Sequence, residues 1–434
     1  MGSSDDTARI APALARFTAW LDRYGETSWD HQSYFAGPIG GRAKALYYRH
    51  PRLGMLAVAP MIASEALLPL ARHLFWHKQR FPIADAHYAM GFAALAQLGD
   101  ADGAHHRRAV HFLDVLEQTR CPGYERHGWG YPFDWVTRNG VMAAQTPLIT
   151  STPYAYEAFA AVHGLDGQQR WLDVMRSIAE HALQDIPDKA LGGDVASCGY
   201  NPQDSEGGVI NASAYRACLL MNAAVRFDRD DYRLAAERNL NYVLQAQQPD
   251  GSWRYATDGV RDFVDHFHTC FVLKALAKIE ALGLAGHDGV RRAIESGVAY
   301  YVRHLFDSDG LPQPFAKAPR LTVYRHELYD YAECINLCTL LGGRFPNLDD
   351  RLRTTLADLL RRWQKTDGSF RSRQLLLGWD NVPMHRWAQA QLFRSLALLL
   401  SHVSPAQHQG TRQRAPNTVA ARPSAVMSVA GAAH

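Results

Sequence analysis

The sequence predicts an all-α protein, a ring of six helical hairpins, and three observations carry that prediction. Apolar residues recur at helical spacing in paired segments along most of the 434 residues. Short turns containing Gly or Asp join the members of each pair. Longer aromatic-rich loops join one pair to the next, and they recur roughly every sixty residues, about one two-helix hairpin with its connections. Alternating apolar and polar runs are rare, which argues against a strand-rich fold. Ala, Leu, Arg and Gln, all strong helix formers, dominate the periodic segments.

Taken in order, the first helical pattern covers 9–24. Residues 28–52, with Gly37, Gly40 and Gly41, read as irregular. About 54–78 is helical again, with Pro60 and Pro69 expected to kink or split it. Helical patterns then fall at 83–98 and 103–119, 150–163 and 167–184, and 206–226 and 230–247. They continue at 263–283, 287–305, 323–341, 347–365 and 383–402. GDADG at 99–103 and HGLDG at 163–167 are typical of the short turns. The long loops open at His127 (HGWGYPFDW), Leu191 (LGGDVASCGY), Pro249 (PDGSWRYATDG), Ser308 (SDGLPQPF) and Thr366 (TDGSFRSR). Five such loops plus the N-terminal helices make about six hairpins. In a closed ring all the long loops emerge at one end, which becomes a cleft. Residues 1–402 therefore read as one domain, and 403–434, rich in Pro, Ala, Ser, Gln and Arg, as a disordered tail.

Composition narrows the function. Hydrophobic residues make up 47% and charged residues 21%, ordinary for a globular chain. The net charge is +3 without basic blocks, so a nucleic-acid role gains little support. No run of about 18 apolar residues predicts a membrane span. The N-terminus, MGSSDDTARIAPAL, lacks the apolar core of a secretory signal, which makes the cytoplasm the expected location. Six scattered cysteines with no CxxC read as reduced thiols. Neither HExxH, P-loop nor dinucleotide fingerprint occurs, so neither a metal nor another cofactor is expected. The ten Trp and 19 Tyr offer flat faces suited to sugar rings, although most must serve helix packing.

Chemistry-bearing residues concentrate in two stretches. The first is Trp253 to Phe271, WRYATDGVRDFVDHFHTCF, where Asp265 and His268 stand three apart and share a helix face. A carboxylate beside an imidazole can tune a proton donor near neutral pH. A capping Asp and a core His would be the plain structural alternative. The second is Trp129 to Trp135, where Pro132 stiffens a loop carrying Trp129, Tyr131, Asp134 and Trp135. Asp204 and Glu206 read as dipole partners of the following helix, and Asp250 and Asp367, each followed by Gly-Ser, as turn formers. His326, Glu327 and Asp330 open another helix, and a solvated helix start explains them equally well. Arg386 could hold a uronate carboxylate by paired hydrogen bonds or pair with an acidic neighbour.

Several motifs carry a family resemblance. QQPDGSW (Gln247 to Trp253) and TDGSF (Thr366 to Phe370), with the hairpin count, resemble the (α/α)6-toroid superfamily of six-hairpin glycosidases, polysaccharide lyases and uronyl epimerases. GWGYPFDW, TPLITSTPYAYEAF, NASA, VDHFHT and HRWAQA look like a six-hairpin family commonly encoded in bacterial exopolysaccharide gene clusters, over roughly 80–402. Two patterns depart from that family: His266 stands where Asn is usual, and His385 to Ala390 reads HRWAQA where MRWGQA is usual. The resemblance implies polysaccharide metabolism, an oligo- or polysaccharide substrate and contact with the synthesis machinery. It singles out Asp134, Asp265, His268, His326, Arg386 and Trp387.

The resulting expectation is a glycoside hydrolase with Asp134 and Asp265 as its two carboxylates and His268 tuning the latter. Trp129, Tyr131, Trp135, Trp253, Tyr255 and Trp387 would be sugar platforms, with His266, His326 and Arg386 as further contacts. The alternatives are a uronate lyase or C5-epimerase using His268 or a Tyr as base, and a non-catalytic glycan-binding assembly factor.

Overall fold

The computed structural model describes residues 4–284, 288–319 and 322–403, with side chains from residue 8 onward. The chain begins with α1 (Ser4–Tyr24) and then makes an excursion through α2 (Ser33–Ala36), α3 (Pro38–Arg49), α4 (Pro51–Leu67) and a 3₁₀ turn at Pro69–Leu74. Five inner–outer pairs follow: α5 (Pro82–Leu98) with α6 (Ala104–Gln118), α7 (Thr152–Asp166) with α8 (Gln169–Glu180), α9 (Ile210–Phe227) with α10 (Asp230–Gln245), α11 (His266–Ala281) with α12 (Asp288–His304), and α13 (Leu328–Leu341) with α14 (Pro346–Asp358). The last inner helix, α15 (Ala390–Val403), packs on α5 and so closes the ring, and its outer partner is α1 from the other end of the chain. The architecture is an (α/α)6 toroid, as the hairpin rhythm predicts.

Inner and outer helices differ in sequence for a physical reason. The outer helix α8 buries Trp171, Val174, Met175 and Ile178, an i, i+3, i+4, i+7 stripe against the ring. The inner helix α5 is buried nearly all round, and Ala at many positions lets its neighbours approach. At the closing seam Gly91 is essential to that approach, because a Cβ there would lie 2.6 Å from the Phe393 ring. The bore carries polar groups: Lys274 pairs with Glu333, Tyr154 and Tyr215 hydroxyls meet at 2.5 Å, and Arg394 donates to His87 Nδ1 at 3.1 Å.

The long loops fold into short antiparallel pairs at one end of the ring: β1 (Trp135–Thr137) with β2 (Gly140–Met142), β3 (Asp188–Gly192) with β4 (Val195–Cys198), and β5 (Val264–Asp265) with β6 (Phe315–Lys317). β7 (Tyr324–Glu327), β8 (Arg373–Leu375) and β9 (Trp379–Asp380) make a three-stranded sheet. Asp250 Oδ1 accepts from the Ser252 amide at 2.9 Å and its hydroxyl at 2.7 Å, and Asp367 does the same for Ser369. Gly251 and Gly368, at φ +92° and +97°, complete both turns as their sequence suggests.

Two expectations are corrected. Residues 28–52 contain α2 and α3 rather than irregular chain, and Pro60 sits inside α4, which ends at Leu67 ahead of Pro69. The helical patterns at 263–283, 323–341 and 383–402 start late, because strand or π-turn backbone occupies their first residues. Beyond Val403, the stretch expected to be disordered lies outside the described residues.

The N-terminal segment is locked to the last hairpin at His385, which is 1% exposed. Tyr88 donates to its Nδ1 at 2.6 Å, and its Nε2 donates to the Gly25 carbonyl at 3.0 Å. Burial pushes this imidazole from an ordinary 6.5 down to about 4. Between those values the unfolded chain binds a proton that the folded chain refuses. His385 therefore stabilises the fold fully above pH 6.5 and loses that contribution as pH falls toward 4, on the order of 3 kcal/mol in all. Urea midpoints should thus fall less steeply between pH 7 and 4.5 in His385→Gln than in the parent. Equal slopes would refute the assignment.

Candidate active site

In a ring built this way the N-termini of all inner helices share the end that carries the long loops. Asp265 is the N-cap of α11. Its Oδ1 accepts from the His268 amide at 2.9 Å, the usual N-cap bond to N3. Its Oδ2 lies 2.6 Å from His268 Nδ1. Asp265 is 3% exposed, and the His268 side chain 22% exposed. One carboxylate thus fixes both the helix start and the ring, and holding Nδ1–H as donor leaves Nε2 as a free base facing outward.

Around His268 runs a continuous aromatic surface. Tyr255 lies edge-on at 4.7 Å and Phe267 at 4.4 Å between ring centroids. Phe267 reaches Trp387 at 5.4 Å, and Trp387 lies over Tyr329 at 4.3 Å and His31 at 4.2 Å. The Arg386 guanidinium covers Tyr131 at 4.6 Å, and Tyr131 meets Trp135 edge-on at 5.3 Å. Tyr131, Trp135, Tyr255, Phe267, His268 and Trp387 are all half-buried, as rings that line an accessible surface should be. Among the sequence-predicted residues, Tyr131, Trp135, Tyr255, Asp265, His268, Arg386 and Trp387 therefore come together from three separate loops.

The others do not join them. Trp129 is 1% exposed and its indole donates to the Leu116 carbonyl at 2.8 Å; Trp253 is 3% exposed and donates to Val243 at 2.9 Å. A ring without an accessible face cannot stack on a sugar, so both serve packing. His266 is fully buried, accepting from the Tyr301 hydroxyl at 2.7 Å and donating to the Leu305 carbonyl at 3.1 Å. His326 is turned to another hollow of about 570 Å³, shared with Asp307, Tyr324 and Gln374. There it donates to the Pro312 carbonyl at 2.9 Å. Asp134 is exposed and accepts from the Ala144 amide at 2.8 Å within the β1–β2 hairpin. Among the described residues no ring contact or hydrogen bond ties it to the His268 surface.

Arg386 is not free for a uronate. Its Nε and Nη2 hold Asp30 at 3.0 and 2.5 Å, with the two side chains 5% and 2% exposed. Burial opposes ionisation of Asp30, but Arg386 and His31 outweigh it and hold its carboxyl well below the usual range. Burial also drives His31 down to about 3, against the pull of Asp30. Asp30, His31, Phe267 and Tyr329 are site residues that the sequence reading missed.

Beneath the surface lies an acidic pocket of the core. Glu327 and Asp330 are fully buried, which overturns the solvated helix start expected there. Glu327 pairs with Arg373, which also pairs with Glu65 of α4. Both Asp330 oxygens are buried without a hydrogen-bond partner, and burial, then Glu327 and Asp265, push its carboxyl well above the usual carboxylate range.

No family model and no curated protein matches the chain. Solved structures do. Cellobiose 2-epimerase from Spirochaeta thermophila DSM 6192 is 15% identical, at a TM-score of 0.56 over 74% of this chain and 85% of that one. The GH76 α-mannanase of Bacteroides thetaiotaomicron is 10% identical, at 0.54 over 74% and 86%. A D-mannose isomerase is 11% identical, at 0.53 over 74% and 87%. At such identities the likeness establishes the fold, and the chain shares the (α/α)6 toroid with these proteins.

Proposed function

We propose that the protein is a carbohydrate-active enzyme that moves a proton on a sugar, as an isomerase or epimerase does, with His268 as the base. The observation that carries this is the Asp265 carboxylate. Both its oxygens are committed to His268, at 2.9 Å to the amide and 2.6 Å to Nδ1, so it orients an imidazole instead of attacking or protonating a glycosidic bond. His268 Nε2 would take the proton from the carbon next to the carbonyl of an open-chain sugar. The C–H electron pair then forms the C=C bond of an enediolate, and the carbonyl oxygen takes up the charge. Return of the proton to the former carbonyl carbon completes isomerisation, with the adjacent hydroxyl passing its proton to the charged oxygen and becoming the new carbonyl. Return to the original carbon after the enediolate has turned its other face to His268 completes epimerisation. The aromatic surface from Tyr255 to Trp387 would supply stacking for the sugar. That solved structures sharing this fold are named as sugar epimerases and a mannose isomerase supports the reading.

The two-carboxylate hydrolase is the weaker alternative, since Asp265 is engaged by His268 and Asp134 by the Ala144 amide. The uronate lyase or C5-epimerase loses its anchor because Arg386 is neutralised by Asp30. A place in exopolysaccharide metabolism, in contact with the synthesis machinery, belongs to this proposal and rests on the motif resemblance alone. The test is incubation of the protein with mannose, glucose and cellobiose in D2O, followed by NMR. Deuterium entering at the carbon beside the carbonyl, with a new sugar appearing, is the expected result. Cleavage of a glycosidic bond without exchange would sink the proposal.

A further inference from the structure

The α3–α4 hairpin and the 3₁₀ turn after it carry a surface that the sugar chemistry does not use. Ile39, Leu53, Leu56, Leu67, Leu70 and Leu74 are 62% to 76% exposed there. Exposed apolar side chains scattered singly are normal, but their concentration on one short excursion marks an interaction surface. The segment is not loosely packed. Gly54 lets α4 cross tightly over Tyr47, since a Cβ would lie 2.0 Å from the Tyr47 Cα, and Val58 and Met61 are buried. Two ion pairs fasten it to the toroid: Arg72 with Asp380 at 2.9 Å, fully buried, and Glu65 with Arg373, partly buried. The apolar face is therefore held outward by a rigid frame.

Its charge identifies what covers it. From Ala36 to Ser64 the chain contains no Asp or Glu, but it contains Arg42, Lys44, Arg49 and Arg52. On α3 the series Ile39, Arg42, Leu46 and Arg49 falls at helical spacing, so apolar and cationic groups share one exposed face. Among the described residues Arg42, Arg49 and Arg52 are exposed and paired with no carboxylate. A second copy presenting the same face would set arginines against arginines. A bilayer carrying anionic lipid meets both demands, taking leucines between its headgroups and arginines at its phosphates. No described helix is long and apolar enough to cross a membrane, so the contact is peripheral.

We propose that this hairpin docks the protein on an anionic membrane surface. Because Glu65 of α4 shares Arg373 with Glu327 beneath the His268 surface, docking would place the mouth of the ring close to the bilayer. The test is co-sedimentation of the full chain with vesicles of phosphatidylcholine alone or mixed with phosphatidylglycerol. Binding to the mixed vesicles and much less to the neutral ones is expected. Each arginine near an anionic surface is worth about a factor of five, so Arg49→Ser/Arg52→Ser should weaken binding roughly 25-fold. Leu53→Asp/Leu56→Asp should abolish it, with an unchanged unfolding midpoint showing that the fold is intact. Absence of binding to either vesicle, or equal binding by both variants, overturns the proposal. So does a dimer in sedimentation velocity that Leu53→Asp/Leu56→Asp converts to monomer, because the face would then belong to self-association.

Discussion

Replacing His268 by alanine is expected to lower kcat for sugar interconversion by about 10²- to 10⁴-fold, the usual contribution of a positioned general base. The side chain is half-buried against Tyr255 and Phe267, with Nδ1 held by Asp265, so its loss costs some packing, but KM should change less than kcat. Asp265→Asn tests the orientation separately. An amide can still cap α11, because its oxygen accepts from the His268 amide. It cannot hold Nδ1–H as a carboxylate does or stabilise the imidazolium formed when Nε2 takes a proton, so a loss of about 10²-fold or more in kcat is expected. Asp134→Asn should stay within about twofold of the parent, since the proposed proton transfer uses His268 and Asp265, and an amide oxygen can still accept from the Ala144 amide. Retention of near-parental turnover by His268→Ala would remove the mechanism. A collapse of turnover in Asp134→Asn would return the two-carboxylate reading to first place.

The ring was legible because its determinants are local. Asp250-Gly251-Ser252 and Asp367-Gly368-Ser369 make the turns their side chains can cap, and alanine-rich inner segments alternate with one-sided outer ones. The site was legible only in part, because position on the ring is not a local property. Trp129 and Tyr131 stand two apart in one loop, yet the first is buried behind α6 and the second lies under Arg386. His266 and His268 are likewise two apart at the start of α11, and only the second has an exposed nitrogen. Helical periodicity turns His266 and His268 in opposite directions but does not say which direction is the mouth, and the loop of Trp129 and Tyr131 has no period to read. Asp30 and His31 escaped notice because their role depends on a partner more than 350 residues away, Arg386. Glu327 and Asp330 misled for the opposite reason. Charge at a helix start normally means water, and here Arg373 of β8 covers it, held in turn by Glu65 of the N-terminal excursion.

That long-range partnership yields the second large effect. Arg386→Ala should lower the unfolding free energy by about 3–5 kcal/mol, the cost of leaving one member of a buried ion pair without its partner. Asp30 would then be a carboxyl 1% exposed with only His31 and the Gln32 amide to serve it, and it would neutralise or draw in water. Arg386→Lys should recover only part of the loss, because one ammonium cannot meet both carboxylate oxygens in the forked geometry seen here. The double change Asp30→Asn/Arg386→Met should be much milder than Arg386→Ala, since it removes the charge that was stranded. Urea midpoints for the four proteins decide the matter. A midpoint in Arg386→Ala close to that of the parent would mean that the pair contributes nothing to the closure. The expected pattern would instead show that a site residue chosen for grasping a substrate carboxylate is the clasp joining the first loop of the chain to its last hairpin, so that the Trp387 and His31 rings can meet.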